Sequence, residues 1–101
     1  MGYARRDDTQ QQRRVKIFYF SWLANKTGKE YEELDLPPSV KSIGELLKLL
    51  AMRRPGIAPV FDETLLRPTI NKQFAEMFTL LEDGDEVALV PNRPTPPATE
   101  I

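Results

Sequence analysis

"LEDGDEVALVP", Leu81–Pro91, sets a tight turn against a strand. Asp83-Gly84 is a dipeptide favoured in two-residue hairpins, whose central positions need a positive φ, so it predicts a hairpin leading into the last strand. Glu86–Val90 then alternates, with Val87 and Leu89 on one face and Ala88 and Val90 on the other. Beyond the strand, Pro91, Pro94, Pro96 and Pro97 remove the N–H groups a sheet ladder needs. Residues 92–101 are therefore expected to form an extended, Pro-rich tail, polyproline-like in places.

A strand at the end of a domain needs partners, and the first of them lies near the start. "RVKIFYF", Arg14–Phe20, is rich in β-branched and aromatic residues and reads as a strand. Val15, Ile17 and Tyr19 share one face; Lys16, Phe18 and Phe20 share the other, where a lysine argues against a wholly buried surface. Residues 1–13 carry almost no apolar content and a triple glutamine, the composition of a flexible arm. After the strand, "SWLANKTG" predicts a short helical turn ending at Gly28, and "KEYEELDLPP" a second strand stopped by Pro37-Pro38. In that strand Tyr31, Glu33 and Asp35 oppose Glu32, Leu34 and Leu36.

The clearest helix is "SIGELLKLLAMRR". Ser42 and Glu45 have capping-box spacing, and Ile43, Leu46, Leu47 and Leu50 fall on one stripe. Pro55-Gly56 ends it. "IAPVFDE" reads as a loop and Thr64–Ile70 as a strand whose Pro68 predicts an edge or a bulge. "KQFAEMFTL" fits a short strand or a turn equally, with Lys72 a turn residue. The order is strand, strand, helix, strand, uncertain strand, strand. This is an α+β domain, a mixed sheet of four to five strands with one main helix on one face.

Composition narrows the chemistry. The 101 residues amount to one domain and one modest core. A formal net charge of −1 supplies no basic field, so nucleic acid is not an expected partner. No cysteine or histidine is present, which removes disulfides, thiolate nucleophiles, Cys/His zinc sites and histidine bases. No apolar run reaches the roughly 20 residues needed to span a bilayer. Arg13-Arg14 ahead of an apolar run loosely imitates a secretion signal, but Lys16 interrupts it and no small-x-small cleavage site follows. Met1-Gly2 is not followed by Ser or Thr at position 6, where Arg6 stands, so no myristoyl anchor is expected. The expected location is cytoplasmic.

Glu32-Glu33, Asp62-Glu63 and Asp83/Asp85 pair carboxylates, but neighbours on a strand point to opposite faces, and Asp83-Gly84-Asp85 is a turn with too few ligands for calcium. The five glycines form no phosphate-binding loop. No catalytic, metal or cofactor residues are assigned, and a stand-alone enzyme is not expected. Phe18 and Phe20, with Ala88 and Val90 nearby, predict an apolar patch on the face away from the helix, the kind of surface that receives a partner or lies beneath a loop.

Taken in order, "VKIFYFSWLANKTG", "SIGELLKLLAMRRP", "RPTINKQ" and "LEDGDEVALVP" resemble the small subunit of molybdopterin synthase and its relatives, the thiamine-pathway sulfur carriers. The resemblance covers residues 14–91 and is most specific at Asp83–Pro91, with Ile70-Asn71 in support. It implies a ubiquitin-like β-grasp fold over 14–91, flanked by the arm and the tail. It also implies a mechanism: a C-terminal Gly-Gly is adenylated, converted to a thiocarboxylate, and threaded into the large subunit. Here "PNRPTPPATEI" follows the strand and contains no glycine. The resemblance thus implies an accessory or binding module of molybdenum-cofactor or sulfur-transfer chemistry, unable to carry sulfur itself. Its partner would be a molybdopterin synthase large subunit or an adenylating enzyme homologue. Phe18, Phe20, Ala88, Val90 and Pro91 match the family's docking positions. The competing readings are a working sulfur carrier and an interaction domain unrelated to sulfur that uses the aromatic face and the proline segment.

Overall fold

The computed structural model describes residues 12–96. Of the arm expected over 1–13 only residues 12 and 13 are described, and Arg13 already belongs to the first strand; of the tail expected over 92–101, residues 92–96 are described. β1 runs Arg13–Tyr19 and buries Val15, Ile17 and Tyr19, as its alternation predicts. It begins at Arg13 because that guanidinium spans three backbone carbonyls, donating to Leu81 O, Pro37 O and Val40 O at 3.3, 3.1 and 2.7 Å. A six-residue helix, α1, follows at Trp22–Thr27, then β2 at Tyr31–Leu36.

α2, Ile43–Arg53, opens on the expected capping box. Ser42 Oγ accepts from Glu45 N, and the Glu45 carboxylate accepts from Ser42 N at 3.1 Å and Lys41 N at 2.7 Å. Those backbone donors hold the Glu45 carboxyl below its usual range. Ile43, Leu46, Leu47 and Leu50 are each at most 2 % exposed, so the stripe is the face laid on the sheet. A 3-10 helix, Pro55–Val60, replaces the expected loop.

β3 (Leu66–Ile70), β4 (Gln73–Phe74) and β5 (Glu86–Pro91) complete a five-stranded sheet in the order β2-β1-β5-β3-β4. β1 and β5 are parallel and the other pairs antiparallel. One helix across the face of a mixed sheet, with the last strand between β1 and β3, is the β-grasp arrangement. No described helix is long and apolar enough to cross a membrane.

Two expectations are corrected. Asp83-Gly84 is not a hairpin turn: the chain before it does not pair with β5, and Leu80 bridges to Ser42 instead. The turn docks on β1. Gly84 N donates to Arg14 O, Arg14 N to Asp83 Oδ1, and Lys16 N to Asp85 O, at 2.8, 2.8 and 3.0 Å. These bonds fix the parallel register of β5, and Gly84 (φ +89) allows the bend. The hairpin lies at Asn71-Lys72, both at positive φ, between β3 and β4. Pro68 is a correction only in part: β3 is an inner strand in unbroken register with β5, but β4 pairs only with Thr69 and Ile70, so Pro68 lies where the ladder on the outer side of β3 ends. Asn71 N bonds Glu86 O, so alternation turns the nitrogen of Pro68 away from β5, and no rung of the β3–β5 ladder is lost.

Lys72 sits at φ +73, where a side chain is strained and glycine is not. Lys72→Gly is expected to stabilise the fold by about 0.5–1 kcal/mol. A urea midpoint that rises with an unchanged slope is the check.

Residues 75–82 return beneath the start of α2. Gly44 N donates to Met77 O at 2.8 Å, Ile43 N to Thr79 O at 3.0 Å, and Leu81 N to Lys41 O at 2.8 Å. This satisfies N–H groups that a helix start leaves open. The approach is close: a Cβ on Gly44 would sit 3.3 Å from Met77 O.

Candidate functional site

The face of the sheet opposite α2 has no covering element among the described residues. Register places Tyr31, Phe18, Ala88, Thr69 and Phe74 in one row across all five strands. The next row is charged, with Lys16 between Glu33 and Glu86. Phe18 and Tyr31 pack with ring centroids 5.9 Å apart, and the Lys16 ammonium lies 4.9 Å from the Tyr31 centroid and 5.7 Å from that of Phe18. The cation is drawn to the negative ring faces, which anchors both rings at the β1–β2 side of the row. Arg14 reaches Glu33 at 3.2 Å and Asp35 at 3.4 Å, an exposed pair of bridges worth little to stability.

Phe20 lies just past β1 and is 48 % exposed. With Phe18, Thr69, Lys72, Glu86 and Ala88 it lines a shallow cup of about 260 Å³. The floor is apolar and the rim carries one cation, one carboxylate and one hydroxyl, a set suited to holding an apolar side chain of another protein. Of the positions singled out in the sequence, Phe18, Phe20 and Ala88 meet in this cup, and Val90 lies on the same face opposite Arg67. Pro91 alternates to the other face with Val87 and Leu89, and it opens the segment that leaves the sheet. Tyr31, Thr69 and Phe74 escape the sequence reading. Only register brings them in, and for Phe74, 81 % exposed, register depends on the Asn71-Lys72 turn.

A second polar cluster lies on the helix side, beyond the apolar core. Glu32 alternates inward with Leu34 and Leu36. Its carboxylate accepts from the Tyr19 hydroxyl, from Arg54 at 3.2 Å and from Lys29 at 3.3 Å, while Arg54 also donates to Thr27 O at the end of α1. Burial alone would raise the Glu32 pKa, but the bonds from Tyr19, Arg54 and Lys29 outweigh it and hold the carboxyl below its usual range. Burial, reinforced by the bond to Glu32, pushes the Tyr19 phenol well above its usual value. The cluster ties α1, β1, β2 and the end of α2 together, a structural lock. Among the described residues no set of three or more His, Cys, Asp or Glu side chains is arranged to hold a metal ion.

Solved structures share this fold. A Pyrococcus furiosus protein described as a molybdopterin converting factor subunit 1 is 24 % identical, with a TM-score of 0.66, covering 78 % of this chain and 97 % of its own. The small archaeal modifier protein 1 of Haloferax volcanii is 21 % identical, with a TM-score of 0.66 and coverages of 82 % and 99 %. A ubiquitin from Caldiarchaeum subterraneum is 15 % identical, with a TM-score of 0.53 and coverages of 81 % and 95 %. At such identities the likeness establishes a ubiquitin-like fold and nothing finer. No curated protein matches the sequence. The model of the ThiS family matches residues 17–92, from the middle of β1 to just past β5, and on that match the chain belongs to the ThiS family.

Proposed function

We propose that this chain is a non-catalytic β-grasp module of molybdenum-cofactor or sulfur-transfer chemistry that works by docking its open sheet face on a protein. The partner class is a molybdopterin synthase large subunit or an adenylating enzyme homologue. The observation that carries this reading is the aromatic row and cup around Phe18, Phe20 and Ala88, left open on a family member's sheet. The family resemblance supports the direction of the chemistry. The composition of the segment continuing β5 supports docking through the sheet face, because residues 92–101 include three prolines and no glycine. Side chains and fixed φ angles suit a narrow channel poorly, whereas glycine lets a backbone be approached closely.

Phe18→Asp tests the face. It places a charge in the cup without entering the core, and it should weaken binding to a purified large subunit at least tenfold, about 1.4 kcal/mol, by calorimetry. Unchanged affinity would remove the face from the reading. The binding role is tested separately, by ATP–pyrophosphate exchange with the adenylating enzyme and by intact mass of the protein from its host. Robust exchange, or a mass gain matching oxygen replaced by sulfur, would overturn it in favour of a sulfur carrier, the reading that the family match by itself favours.

A further inference from the structure

The chain that leaves β5 does not run straight into solvent. Asn92 N donates to Leu65 O at 2.8 Å, and the Asn92 side-chain amide donates to Thr64 O at 2.7 Å. Thr64 is itself pinned, since its N–H and hydroxyl both donate to Asp62 Oδ1 at 2.7 Å. One residue further on, the Trp22 indole N–H donates to Arg93 O at 2.9 Å. Trp22 is 7 % exposed, and its ring packs in the core at the start of α1. Two consecutive residues outside the sheet are therefore held by three bonds from two separate parts of the body.

The corner that supplies Trp22 is strained. Ser21 has φ 58 and ψ −140, a conformation glycine adopts and other residues avoid, and its side chain makes no capping bond to offset it. Both neighbours of Ser21 are tethered to the same stretch of chain: Phe20 N to Leu89 O at 3.3 Å, and Trp22 through its indole to Arg93 O. Strain of this kind persists only where the surroundings over-determine the backbone. Here the surroundings are β5 and its continuation, so corner and segment are mechanically joined.

The geometry points to a retaining seat: Trp22, Leu65 and Thr64 hold Asn92 and Arg93 against the domain, and a protein that engages the segment after β5 must first unseat it from Trp22. Trp22 is the positioning residue and Asn92 the second catch. The seat rests on this chain's own contacts; only the identity of the receiving protein rests on the function proposed above. It also places the one tryptophan of the chain where it reports the event, because unseating exposes an indole N–H that is otherwise bonded.

Backbone ¹⁵N relaxation on the full chain tests this. In the wild type the Arg93 amide should be as ordered as those of Val87 and Leu89, with order parameters of about 0.85. Trp22→Phe keeps an aromatic ring in the core and removes the N–H donor, with some loss of buried volume. It should drop Arg93 below about 0.6 while Val87 and Leu89 stay ordered. If Trp22→Phe also loosens β5, the decision passes to Asn92→Ala, which touches no core residue and should loosen Arg93 in the same way. A mobile Arg93 in the wild type, or an Arg93 that stays ordered in the deciding variant, overturns the seat. None of these outcomes depends on whether the open face binds a protein, so failure of the seat and failure of the docking reading are separable.

Discussion

Leu89→Ala should destabilise the protein by about 2–5 kcal/mol, the range for truncating a buried leucine. Leu89 is fully buried in the middle of β5, between Tyr19 of β1 and Pro68 of β3. The removed atoms lose their burial, and the cavity they leave is bounded by strands on both sides, so it closes poorly. A domain this size is stable by only about 5–15 kcal/mol in total, so the variant should lose a sizeable share of its margin. Its denaturant midpoint should fall with the slope unchanged. Met52→Ala is the control: Met52 is 75 % exposed on α2, and its loss should shift stability by no more than about 0.5 kcal/mol. A Leu89→Ala loss no larger than that of Met52→Ala would mean β5 is not the centre of the sheet.

The second large effect is tied to pH. Replacing Glu32 with glutamine should cost about 1–3 kcal/mol at neutral pH, because Arg54 loses its ionised partner while half-buried; the figure allows for the solvent that still reaches the carboxylate. The folded-state pKa of Glu32 is depressed, so its contribution is fully present above the unfolded value of about 4.3 and is lost as pH falls through the lower folded value. The wild-type protein should therefore lose stability on acidification, and the gap between it and Glu32→Gln should narrow as pH falls below the unfolded value. Tyr19 works in the opposite direction. Its folded pKa is raised, so its contribution is intact below about pH 10 and is lost in strong base. Urea midpoints of both proteins at pH 7 and pH 3 give the comparison. A gap that stays constant between the two would remove the charge on Glu32 from the account.

What the sequence made legible was local. The Ser42–Glu45 box and the Ile43–Leu50 stripe place α2 because both signals lie within a few residues of each other. The alternation in β1 and β5 separates Val15, Ile17, Val87 and Leu89 from Phe18 and Ala88, and the structure keeps that separation. What the sequence left hidden was pairing across distance. Asp83-Gly84 carries the composition of a hairpin turn, yet its bonds go to Arg14 and Lys16, some 70 residues earlier. Lys72 hid the real hairpin, since a two-residue turn favours glycine where the lysine sits. The extent of the open-face row was hidden for the same reason: Tyr31 and Phe74 join Phe18 only once register is known. The Trp22–Arg93 bond had no sequence signal at all, as a tryptophan in an apolar run reads as core whether or not its N–H is used.

The strap over residues 75–82 meets the start of α2 through the main-chain oxygens of Met77 and Thr79, while Ala75, Met77 and Leu81 turn their side chains to the core. Phe78 and Leu80, on the same strap, are 78 % and 66 % exposed. A carbonyl is the same whichever residue supplies it, so positions 78 and 80 can drift in evolution, or position 78 accept a dye or affinity handle, while the helix keeps its anchorage.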